Sequence, residues 1–140
     1  MAKDKPVDML GTVGLFEGLS RKELRQIHQM GKEVSFPAGR AIVKEGETGL
    51  GFHLILEGKA KVTIKGRRHD LLGPGNFFGE LALIDRGTRT ATVTAETPVR
   101  TLSIVSWDFL PMIEQNPSIA RKLLLEMCRR LRGVRTSYTA

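Results

Sequence analysis

The residues best equipped for chemistry lie in one stretch, FFGELALIDRGTRTATVTA, residues 77–95. Gly79 precedes Glu80, Leu81 and Ala82, which puts a flexible residue ahead of one short helical turn. A helix start that follows glycine offers free backbone N–H groups to an anion. Arg89 follows ten residues after Gly79 and stands just before a β-branched run. A guanidinium fixed near such amides makes a phosphate site. Glu80 is the odd member, because a carboxylate beside a phosphate repels it. The conflict disappears if the acid accepts a hydrogen bond from a hydroxyl of the same ligand, so a ligand with one phosphate and one ribose hydroxyl satisfies all three groups. The competing explanation of Arg89 and Glu80 is a surface ion pair with no ligand.

Something must hold these groups in place. Residues 1–10 are mixed and charged and read as a loose, flexible arm; residues 11–140 then form one domain. Ser20 followed by Glu23 is a capping-box pattern, and Leu24, Ile27 and His28 fall at helical spacing, which predicts a helix of about ten residues. Between residues 32 and 105 the texture changes to short apolar or β-branched runs at 34–36, 41–43, 52–56, 60–64, 70–72, 90–94 and 99–105. Turn residues such as Pro37-Ala38-Gly39, Glu57-Gly58-Lys59 and Gly73-Pro74-Gly75 separate them. Turns every 8–12 residues or so argue for a sandwich or barrel. Ala60, Val62 and Ile64 alternate with polar residues, so one side of that strand faces water.

After Ser106 the period becomes helical. Trp107, Leu110 and Ile113 share a face in a short helix that ends before Pro117. Asn116 suits the cap and Pro117 the first position of a last helix over about 117–132. Ala120, Leu124, Met127, Leu131 and Val134 form its apolar stripe, and Gly133 suits its C-terminal cap. The order is therefore one helix, many strands, then two helices.

A chain of 140 residues with 41% hydrophobic residues suits one packed domain. Its formal charge of +7 is concentrated at the end, where Arg121, Lys122, Arg129, Arg130, Arg132 and Arg135 face one acid, Glu126. Such a segment can meet nucleic acid, an acidic partner or an anionic ligand, or can be a solvated helix face. The single cysteine, Cys128, allows no intrachain disulfide and reads as a small apolar core residue. His28, His53 and His69 show no metal-ligand spacing, so neither a metal nor another cofactor is expected. No stretch resembles a signal sequence or a membrane span, and a cytoplasmic location is the default expectation.

FGELALIDRGTRTATV resembles the phosphate-binding cassette of the cyclic-nucleotide-binding family, the domain of catabolite-activator-type regulators, protein kinase A regulatory subunits and nucleotide-gated channels. VGLFEGLSRKELRQI, FPAGRAIVKEGETG, FHLILEGKAKVTI, LLGPGNFFGE and PSIARKLLLEMCRRLR resemble the family's other segments, so the resemblance covers nearly the whole chain. It implies a mainly β fold with flanking helices: an antiparallel β-roll, jelly-roll-like, with one N-terminal and two C-terminal helices. It also implies roles. Arg89 would hold the cyclic phosphate and Glu80 the ribose 2′-hydroxyl. Backbone amides near Leu81, Ala82 and Thr90 would complete the nest around the phosphate. The Thr90 hydroxyl would meet the phosphate or a purine substituent. Val62 and Phe77 would pack near sugar and base, and Arg130 would reach Glu80 or the base.

Two positions depart from the family pattern. Leu50 stands where an aspartate is frequent, at a turn. Val134 and Arg135 stand where activator-type proteins read adenine with hydroxyls, so the base contacts do not transfer, and Arg135 or Tyr138 is left to stack on the base. The resemblance implies a cyclic AMP sensor that closes its last helix over the ligand, with cyclic GMP as the near variant through Thr90. It implies no catalysis. Because the chain stops where an activator's DNA-binding domain would begin, a stand-alone module read by an effector protein is expected, with a helix-mediated homodimer as an option and DNA binding disfavoured. A β-roll that binds no nucleotide and a metal-dependent barrel enzyme are the remaining readings; Glu80 and Arg89 speak against the first and the scattered histidines against the second.

Overall fold

Among the described residues, turn glycines and the alternating runs between them set out eight strands in two antiparallel sheets. The structure, a computed structural model, describes residues 4–134. The strands are β1 (Lys32–Phe36), β2 (Ala41–Val43), β3 (Gly51–Glu57), β4 (Ala60–Ile64), β5 (Arg67–Leu72), β6 (Phe77–Phe78), β7 (Thr92–Ala95) and β8 (Val99–Val105). One sheet has the order β1-β8-β3-β6 and the other β2-β7-β4-β5, the two walls of a β-roll. The helices are α1 (Asp4–Leu10), α2 (Arg21–Met30), α3 (Ala82–Asp85), α4 (Ser106–Gln115) and α5 (Pro117–Val134).

Strand alternation divides the core in two. Phe52, Leu54, Leu102 and Ile104 turn outward from the first sheet and pack with Phe16, Ile27, Phe109, Ile119 and Leu123 of the helical side. Ile55, Ala60, Val93, Ala95 and Val99 fill the inside of the roll. Phe16 meets Phe52 edge-on at 5.9 Å and Phe109 at 6.2 Å, and each buried ring contributes roughly 1.5–3 kcal/mol by burial.

The predicted first helix is present as α2, with both halves of its capping box: Ser20 Oγ accepts from Glu23 N–H, and Glu23 accepts from Ser20 N–H. Several other readings need correction. Residues 4–10 are not a loose arm but α1, because Val7 and Leu10, spaced by three, are fully buried in the helical core. In α4 the buried apolar residue is Phe109, while Trp107 stays 55% exposed. The apolar stripe of α5 is displaced by one residue: Ile119 and Leu123 are buried, Met127 packs against them, and Leu124 and Leu131 are exposed. The Asn116 side chain donates to Met112 O of α4, closing the helix before it. Gly133 lies within α5, and Cys128 is exposed.

Candidate ligand-binding site

The cassette begins at Gly79, whose φ of +82° turns the chain out of β6. An L side chain rarely adopts that conformation, and a Cβ here would also overlap the Arg89 guanidinium. One short turn, α3, follows and ends at Arg86 in the left-handed conformation. Asp85 then accepts a hydrogen bond from Gly87 N–H at 2.8 Å, which sets the return of the chain. The returning strand is clipped to the loop between β2 and β3: Gly49 N–H donates to Gly87 O, Arg89 N–H to Glu47 O, and Gly46 N–H to Arg89 O.

This clip fixes Arg89. Its Nη2 donates to Gly51 O at 2.7 Å, and Gly49 and Gly79 leave the room its guanidinium occupies. Burial lowers the Arg89 pKa from the usual arginine value, yet a guanidinium stays charged throughout the biological range. The charge therefore sits half-buried, held by a neutral carbonyl, and faces a cavity of about 400 Å³. Gly79, Glu80, Leu81, Ala82, Arg89 and Thr90 all border that cavity. The sequence had brought these six together, and the structure places them on one hollow.

The remaining expectations divide. Ala82 N–H already donates to Gly79 O at 3.1 Å, so it is spent on the turn. Thr90 lies outside β7, exposed at the cavity mouth. Phe77 does not face the cavity: it points to the helical core and packs on Phe52 at 6.1 Å, while Phe78 forms the wall. Val62 pairs with Val93, a wall residue, and so sits one strand behind it. Arg130 reaches across from α5 over Gly14, with its Nη1 3.9 Å from Glu80 Oε1. Arg135 and Tyr138 lie outside the described residues. The sequence reading missed Phe78 and the glycines at 49 and 51; three glycines within six residues, Gly46 to Gly51, were the available signal.

A fixed guanidinium, a carboxylate beside it and a hydroxyl at the mouth suit an anionic sugar phosphate. The family model for the cyclic nucleotide-binding domain matches residues 33–116, from β1 through the cassette to the end of α4. The chain belongs to the cyclic nucleotide-binding domain family. The CRP-like cAMP-activated global transcriptional regulator of Mycobacterium tuberculosis is 32% identical over 130 residues, covering 89% of this chain and 58% of that protein. A cyclic nucleotide-gated potassium channel of Rhizobium etli is 39% identical over 122 residues, covering 84% of this chain and 34% of the channel. The crystal structure of the N-terminal domain of a transcriptional regulator from Streptomyces coelicolor A3(2) superposes with a TM-score of 0.84 at 32% identity, over 95% of this chain and 99% of that one. The chain thus spans less than two thirds of the curated relatives' length. Among the described residues of this cyclic nucleotide-binding domain, no helix is long and apolar enough to cross a membrane, and no cluster of three His, Cys, Asp or Glu residues could hold a metal.

Proposed function

We propose that the domain is a sensor for a 3′,5′-cyclic nucleotide, cyclic AMP in the first place, and not a catalyst. The observation that carries this is the fixed Arg89 guanidinium facing one cavity with the half-buried Glu80 carboxylate. Arg89 receives the cyclic phosphate, with Thr90 and the Leu81 amide at the edge of the same hollow. Glu80 accepts from the ribose hydroxyl. A cyclic phosphate carries a single negative charge, which one guanidinium matches, whereas an open monophosphate brings more charge than the site neutralises.

Glu80 also faces Arg130 of α5. A ligand that takes up the carboxylate changes what Arg130 meets, and this links occupancy to the position of α5. The helix then moves only as far as the ligand's differential affinity for the two arrangements allows. An effector protein reads the result. The leucines left exposed on α5, Leu124, Leu125 and Leu131, support a homodimer through that helix, which Leu124→Glu should dissociate in sedimentation velocity.

Cyclic GMP is the second reading, favoured by the Thr90 hydroxyl at the cavity mouth, which can meet the guanine amino group. Calorimetric titration with cyclic AMP, cyclic GMP and 5′-AMP tests both. Saturable binding of one cyclic nucleotide and none of 5′-AMP is expected. Silence with both cyclic ligands would overturn the sensor reading.

A further inference from the structure

Arg89 separates two cavities. In front of it lies the hollow that Glu80 borders; behind it lies a second, of about 230 Å³, bordered by Val43, Gly51, His53, Arg89 and Ser103. His53 is on β3, between Phe52 and Leu54 of the helical core, so alternation turns its imidazole into the roll. Its Nδ1 lies 2.8 Å from Ser103 Oγ and 3.3 Å from Thr101 Oγ1, and the two hydroxyls are 3.0 Å apart. The ring stacks on Phe78 with centroids 5.1 Å apart and planes at 21°. Phe36 also meets it edge-on, with centroids 6.1 Å apart. Phe78 is a wall of the front cavity. One imidazole therefore touches a wall of the anion site and shares a hollow with the guanidinium at its centre.

The hydroxyls of Ser103 and Thr101 can donate or accept, so they serve Nδ1 in either protonation state. Charge is the sensitive quantity. Burial first, and the Arg89 charge second, push the His53 pKa down from 6.5 to about 4, so the ring is neutral beside a permanent cation.

We propose that His53 is a positioning residue of the anion site, one that holds the Phe78 wall and is coupled through the charge on Arg89 to whatever occupies the front cavity. This rests on the reading of that cavity as an anion site. A bound anion cancels part of the guanidinium's field, so the imidazole accepts a proton more readily in the complex. By reciprocity the protonated imidazole strengthens anion binding by the same factor. Lys44 and Glu47, one of each sign, are the other charged groups on the rear cavity. β8 offers the imidazole only hydroxyls, and β1 and β6 only aromatic rings. Arg89 is thus the charge beside His53 that a ligand alters.

Titration of the His53 ring protons by NMR tests the coupling in the full chain. It is run free, saturated with cyclic AMP, and in Arg89→Gln without ligand. The midpoint should rise by roughly one unit when ligand binds, equivalent to about tenfold tighter anion binding to the protonated form, and should rise likewise in Arg89→Gln. His53→Gln keeps a partner for Ser103 and carries no charge. Parent affinity relative to His53→Gln should therefore grow as pH falls through the midpoint, a comparison in which the ligand's own titration cancels. A midpoint that saturating cyclic AMP leaves unmoved overturns the inference while the sensor reading stands. If cyclic AMP does not bind, yet Arg89→Gln raises the midpoint, the coupling stands and the cyclic nucleotide reading fails; inorganic phosphate is then the probe of the parent. An unmoved midpoint in both the phosphate-saturated parent and Arg89→Gln overturns the coupling itself.

Discussion

Arg89 and Arg130 approach the same turn by opposite routes. Arg89 is built into the backbone: its amide and carbonyl are clipped to the β2–β3 loop, its guanidinium donates to Gly51 O, and glycines leave space around it. Arg130 arrives at the end of a long side chain on α5, with Glu80 3.9 Å away. One arginine is fixed before any ligand comes, which lowers the entropic cost of capture. In the proposed sensor the other, whose ion pair is long, is the one placed to exchange its partner for the ligand. The difference teaches that a fixed and a long-armed arginine can meet at one turn from separate elements, and under the proposed function the first would serve affinity and the second response.

That division predicts a graded series. Arg89→Ala should weaken cyclic nucleotide binding by roughly 3 kcal/mol, about a hundredfold, because a charge-assisted contact in a half-buried site is lost. Calorimetry reads the loss, and a thermal midpoint close to the parent's shows that the fold survives. An undiminished affinity would remove Arg89 from its assigned place. His53 tests how strongly the interior resists a second charge. Its pKa is lower folded than unfolded, so the unfolded chain binds the extra proton. Its contribution is complete above pH 6.5 and is lost as pH falls toward about 4. That amounts to about 2–3 kcal/mol across the window. Denaturant midpoints measured against pH should show the decline, and His53→Gln should flatten it.

Gly79→Ala attacks the cradle without touching the charge. A left-handed φ and an overlap with Arg89 should cost about 1–2 kcal/mol of stability, together with measurable ligand affinity. Arg130→Ala should be the mildest: below about 1 kcal/mol in affinity, since its ion pair is long and partly solvated. Its mark should instead be a diminished change in α5 on binding, read as amide protection by hydrogen exchange. If Arg130→Ala costs as much as Arg89→Ala, the two arginines are not divided between capture and response.

The same contrast explains what could be read from sequence. The cassette was legible because its residues answer to backbone demands: a positive φ at Gly79, an Asx turn at Asp85, a clipped loop that leads to Arg89. Few residue types meet such demands, so type reveals place. Helix α5 is apolar on more than one side, with Ile119, Leu123, Leu124, Leu125, Met127 and Leu131, and periodicity alone fits two phases. Packing against Phe16 and Phe109 selects Ile119 and Leu123 and leaves Leu124 in solvent. Phe77 and Phe78 pose the same problem on a two-residue strand, where adjacent side chains take opposite faces and composition cannot tell inside from outside. Residues 4–10 looked unstructured because few residues, Val7 and Leu10 with the partly buried Met9, carry the helix inward, and what they dock on lies elsewhere in the chain.

Helix α5 is built as a lever. Its first half is anchored: Ile119 and Leu123 are buried, and Lys122 donates to Glu23 of the α2 capping box at 2.8 Å. From Leu123 to Val134 the helix runs on for roughly 16 Å at 1.5 Å per residue, held more lightly, by the partly buried Met127 and the exposed pair of Arg129 with Glu17. A tilt of about 10° at this fulcrum would carry its far end about 3 Å, enough to make or break a side-chain contact. Arg130 sits about 10 Å along that arm, so such a tilt corresponds to roughly 2 Å at the Glu80 contact, and the lever would enlarge a shift there about one and a half times with no rearrangement of the roll.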